Sequence, residues 1–113
     1  FSFVANDGFS DSAPATVSIT VTPVNDAPTI AQLGGSGVCA ANGGASGGFS
    51  VSLADVDAGD TLVVTASSSN GQISAVVSGS GATRSVTVAA ASGQTGTVTL
   101  TVDDGAGGTA SLS

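Results

Sequence analysis

The chain has 113 residues, enough for one sandwich-sized domain and too few for two complete ones. Arg84 is its only base against eight aspartates, Lys, Glu and His are absent, and the net charge is −7. That balance excludes nucleic acid and anionic membrane surfaces as partners, since both are held by Lys and Arg, and it removes the usual proton-transfer groups of enzymes.

The first predicted elements lie within residues 1–22. Phe3-Val-Ala-Asn-Asp-Gly8 ends a strand in an acidic turn, and Ala15 to Val21 alternates apolar and hydroxyl side chains. Such alternation fits a strand with one face on a core and the other in water. Residues 23–28, Pro-Val-Asn-Asp-Ala-Pro, then read as a linker, because paired prolines stiffen the path. Gly34 to Gly48 is Gly-rich and fits either a loose first strand with a long loop or a bulged edge. Cys39, within it, has no second cysteine in the chain. It reads either as a small, partly buried hydrophobe or as half of an intermolecular disulfide.

Further alternating runs follow at Phe49–Leu53, Thr61–Thr65, Ser85–Ala89 and Thr97–Val102. Turn signals separate them at Ala58-Gly59-Asp60, Asn70-Gly71, Gly79-Ser80-Gly81 and Asp104-Gly105. No helical period competes, and no apolar run is long enough to span a membrane. Short strands at this spacing predict an all-β Greek-key sandwich of the immunoglobulin-like kind over residues 29–113.

An internal repeat frames the chain. Phe3-Val-Ala-Asn-Asp-Gly8 aligns with Leu100-Thr-Val-Asp-Asp-Gly105, at an offset of 97 residues (Gly105 less Gly8). Only Ala106 to Ser113 follows the second copy, so the sandwich is expected to lack most of its final strand. Residues 1–22 read as the last two strands of another module. Two explanations stay open: a window cut from a tandem array, or strand exchange between identical subunits in a head-to-tail fibre.

The acids carry the chemistry. Asn25 and Asp26 sit in the linker, Ala54-Asp-Val-Asp-Ala-Gly-Asp60 follows a strand, and Val102-Asp-Asp-Gly105 ends one. A sandwich gathers such loops at one end, and hard carboxylate and carbonyl oxygens suit Ca²⁺. Asp55 and Asp57 would bracket an ion while Val56 turns back to the core. Each acid alone is equally an ordinary turn residue.

V-N-D-A-P at 24–28, D-V-D-A-G-D at 55–60 and V-D-D-G at 102–105 resemble the cadherin-like repeats of bacterial surface proteins. The resemblance implies a non-catalytic, extracellular or cell-surface repeat with Ca²⁺ at the module junction. The ligands it implies are Asn25, Asp26, Asp55, Asp57 and Asp104, with Asp7 as the matching acid of a preceding module; Asp60 and Asp103 rank behind them. The Glu-bearing motifs of that family are missing, so one or two ions are expected. Partners would be neighbouring repeats or identical subunits. The rival reading is an accessory carbohydrate-binding module of a secreted enzyme, which the lack of Trp and Tyr disfavours. Zinc would need several Cys or His, and a Ser–His–Asp relay needs His.

Overall fold

The structure, a computed structural model, describes residues 1–34 and 46–113. It is all-β, and no helix occurs among the described residues. Strands β1 (Ser2–Phe3) and β2 (Ala15–Thr16) form a two-stranded antiparallel pair. A four-stranded sheet follows in the order β3 (Thr29–Leu33), β4 (Ser46–Ala54), β7 (Thr83–Ala90), β6 (Ile73–Ser78). A three-stranded sheet is ordered β5 (Val63–Ser68), β8 (Val98–Asp103), β9 (Thr109–Leu112). The chain crosses between sheets after β4, β5 and β7, which is the four-plus-three Greek-key arrangement of an immunoglobulin-like sandwich.

The alternation seen in the sequence builds the core. Val51 and Leu53 of β4, Ile73 of β6, and Val86, Val88 and Ala90 of β7 face Leu100 and Val102 of β8. Burying each Val or Leu stabilises the fold by roughly 1.5–3 kcal/mol. Phe49, Leu62, Val64, Ala66 and Leu112 are half-buried around them. The hydroxyl residues between, such as Thr87 and Ser85, point to water.

Three expected strands fall within or beside the observed β4, β7 and β8. The predicted strand at 61–65 lies instead at Val63–Ser68, fixed by pairing from Val63↔Asp103 to Ser68↔Val98; Leu62 packs on the core without joining the ladder. The strand expected over 15–21 is confined to Ala15–Thr16. Pairing reaches one residue further, where Phe1 and Val17 each donate an N–H to the other's carbonyl, at 3.0 and 2.9 Å. β9 pairs with β8 from Leu100↔Leu112 to Asp103↔Thr109. The Gly-rich stretch is described only at Gly34 and at Ser46–Gly48, where β4 begins; Cys39 lies outside the described residues.

Candidate cation-binding site

Three connections meet at one end of the sandwich: the linker before β3, the loop between β4 and β5, and the β8–β9 turn. The linker is held down by two contacts from its backbone and amide. Asn25 Nδ2 donates to Asp104 Oδ2 at 2.8 Å, and the Asp26 N–H donates to Asp57 Oδ2 at 2.7 Å. Pro28 is buried immediately after. Gly108 makes this close approach possible. A Cβ there would overlap Asp104 Oδ2 and stand 2.9 Å from the Ala27 Cα.

The β4–β5 loop winds so that two of its acids face inward. Asp55 Oδ1 accepts the Asp57 N–H at 3.0 Å, a local turn bond that fixes the carboxylate. Gly59, at φ 110, reverses the chain and returns Asp60 to the same side. Asp55, Asp60 and Asp104 each present an oxygen such that all three lie within 4.8 Å of one another. Oδ2 of Asp55 and Oδ2 of Asp60 are both buried and have no hydrogen-bond partner. Orphaned buried oxygens of this kind are costly unless something else satisfies them.

The electrostatics of the three carboxylates differ. Burial, then the charges of Asp55, Asp57 and Asp104, pushes the Asp60 carboxyl above the ordinary aspartate value. The Asn25 amide, helped by the Ala106, Gly108 and Gly107 N–H groups, holds Asp104 below it despite desolvation. Asp104 Oδ1 accepts from those amides at 2.7–2.9 Å and is buried at 4% exposure. Asp104 is therefore a fixed anion, while Asp60 is a strained one.

A cation would relieve this. Ca²⁺ takes oxygens at about 2.3–2.6 Å, so two ligand oxygens on one ion stand at most about 5 Å apart. The three aspartates fit inside that span. Arg84 lines a pocket together with Asp55, Asp57 and Asp60, yet its guanidinium donates to backbone carbonyls of Leu62, Gly81 and Thr83.

Of the residues singled out in the sequence, Asn25, Asp26, Asp55, Asp57 and Asp104 all come to this end. Asp55 and Asp104 point into the cluster, Asn25 bonds Asp104, and Asp57 is engaged with the linker amide. Asp60, ranked behind the others, takes the third inward position. Its signal was Gly59, since a glycine free to adopt positive φ sets the side on which the next acid emerges. Asp103 is occupied by its own turn, accepting the Gly105 N–H at 2.7 Å. Asp7 sits in the β1–β2 turn, where Oδ1 accepts the Phe9 and Ser10 N–H groups at 2.9 Å; those bonds lower its pKa.

Comparison with known proteins fits this architecture. Over part of the chain it resembles the integrin beta-like protein A of Dictyostelium discoideum, with 39% identity over 64 residues. That match covers 57% of this chain and 3% of the relative's length. No solved structure matches. The family model described as bacterial Ig domain matches residues 25–113, beginning at the linker Asn25 and running through β9. The chain belongs to the bacterial Ig domain family.

Proposed function

We propose that this domain is a non-catalytic spacer or adhesive repeat of an extracellular or cell-surface protein, stiffened where units meet by Ca²⁺ bound through Asp55, Asp60 and Asp104. The observation that carries the reading is the convergence of three carboxylates within 4.8 Å, two of them with a buried, unpartnered oxygen. Family membership and the partial likeness to an integrin beta-like protein support the surface role. Because Asn25 and the Asp26 amide are tied to Asp104 and Asp57, a bound ion would fix the linker as well as the loops. The ion's task is then mechanical: it sets the angle at which residues before Asn25 leave the sandwich.

Calorimetric titration with Ca²⁺, paired with thermal melts, tests this. At free Ca²⁺ a hundredfold above Kd, linkage adds about 2.7 kcal/mol, which raises the Tm of a domain this size by roughly 10 °C or more. Asp55→Asn and Asp60→Asn should each remove most of that rise. A Tm indifferent to both Ca²⁺ and chelator at fixed ionic strength would refute the site.

A further inference from the structure

The turn between β5 and β6 ties Asn70-Gly71 to the connection between β7 and β8, at the end of the sandwich opposite the aspartates. We propose that this dipeptide is a site of spontaneous deamidation, through which water irreversibly loosens that end of the fold. No bound cation takes part.

Three features open the Asn70 side chain to attack by its own backbone. Gly71 is exposed, lies outside every strand, and its N–H donates to no group among the described residues. Water therefore reaches the proton that has to leave. Nothing lies within 4 Å of where a Gly71 Cβ would stand, so no side chain screens that nitrogen. Asn70 Oδ1 accepts the Gln72 N–H at 2.9 Å. The ring closed by this bond contains the Gly71 nitrogen and keeps the Asn70 Cγ folded towards it. The same N–H stabilises the negative charge that grows on Oδ1 as the nitrogen adds. Asn6 and Asn25 differ in that each precedes an aspartate, whose Cβ screens the nitrogen and whose charge holds the amide proton.

The Gly71 nitrogen bonds the Asn70 Cγ, the Cγ–Nδ2 bond breaks, and ammonia departs with the proton that Gly71 gives up. Water then opens the cyclic imide at either carbonyl, leaving aspartate or the isoaspartyl isomer, whose main chain runs through the former side chain. A staple is lost with Nδ2. It donates to the Thr95 carbonyl at 3.0 Å and to Gln94 Oε1 at 3.1 Å. Gly96 packs beside it, where a Cβ would stand 3.0 Å from the Asn70 Cβ. A carboxylate there has no proton to donate and faces two acceptor oxygens. The isoaspartyl form also lengthens the turn and pulls on the 2.9 Å bond from the buried Ile73 N–H to the Asn70 carbonyl. Ser69 still exchanges two bonds with the Thr97 backbone, each 2.9 Å, so the sandwich stays folded while the loop loosens.

The test ages the 113-residue chain in mildly alkaline buffer, folded and in unfolding guanidinium chloride. Peptide mapping by mass spectrometry follows Asn70 separately from Asn42-Gly43, the same dipeptide outside the described residues. In the folded chain Asn70 should convert to aspartyl and isoaspartyl forms no more than about tenfold slower than in the denaturant, since no opening of the fold has to come first. The Tm should fall in step by roughly 5 °C or more, as two lost hydrogen bonds imply for a domain of this size. Asn70→Asp should show a lowered Tm at once. Gly71→Ala, which has room for its methyl, should fold with the native Tm and keep it through the same ageing. Folded-state conversion of Asn70 more than about tenfold slower than in denaturant would overturn the proposal, because the fold would then shield the dipeptide. So would full conversion with an unchanged Tm.

Discussion

Gly108 and Asp60 carry opposite lessons about single residues. Gly108 is pinned by backbone on one side and a carboxylate on the other, so Gly108→Ala forces the linker away from the β8–β9 turn. Overpacking of this kind costs typically about 1–3 kcal/mol, and the urea midpoint should fall accordingly. Since the shift would also break the Asn25–Asp104 bond, the variant's Ca²⁺ response should weaken in parallel. Asp60→Asn should do the reverse to the calcium-free protein. It keeps the shape and removes the charge that burial and three neighbouring acids oppose, so the Tm without Ca²⁺ should rise while the Ca²⁺-induced increment shrinks. Asp55 and Asp104 were legible in the sequence because their motifs follow strands. Asp60 was named but ranked behind them, because its inward position depends on the backbone path through Gly59, which the motif does not fix.

At the scale of elements, strands were readable wherever apolar and hydroxyl residues alternated cleanly in the sequence. Val51 and Leu53 in β4, Val86, Val88 and Ala90 in β7, and Leu100 and Val102 in β8 occupy every second position, and each of those strands was anticipated within a few residues. β3 and β6 escaped for a physical reason: both are sheet edges with a diluted pattern. In β3 only Ile30 packs on the core while Leu33 is half exposed, and β6 sets the exposed Val76 beside the half-buried Val77. Residues 15–21 alternate equally well, and of them Ala15 and Thr16 join a ladder, opposite Phe3 and Ser2. The two hairpins give a matched experiment. Leu100→Ala should cost about 2–5 kcal/mol, as for a fully buried Leu, whereas Phe3→Ala, at the equivalent register position, should change the stability of the 113-residue chain by less than about 0.5 kcal/mol. Chemical denaturation of the two variants side by side checks both. A large loss from Phe3→Ala would mean that the hairpin already shares a core with the sandwich.

For the whole molecule, charge decides how stability responds to solution conditions. Two shifted carboxyls at the sandwich end act with opposite sign around the ordinary aspartate value of 3.8. The pKa of Asp104 is lowered by folding, so its contribution is complete above 3.8 and is lost as pH falls through its folded value. That of Asp60 is raised, so stability present below 3.8 is lost as pH climbs through its folded value. The calcium-free protein should therefore be most stable close to 3.8 and weaken as pH rises above it, where the growing net charge, −7 at pH 7, adds general repulsion. Thermal melts from about pH 3 to about pH 8 in chelator should trace that maximum. Asp60→Asn should remove most of the decline on the neutral side, and Ca²⁺ at neutral pH should do the same to the native sequence. Sodium chloride should recover only part of it, because mobile ions screen exposed charges well and buried neighbours poorly. A Tm that climbs steadily to neutral pH without Ca²⁺ would mean that the three aspartates do not repel one another as their geometry requires, and the case for a divalent ion between them would lose its driving force.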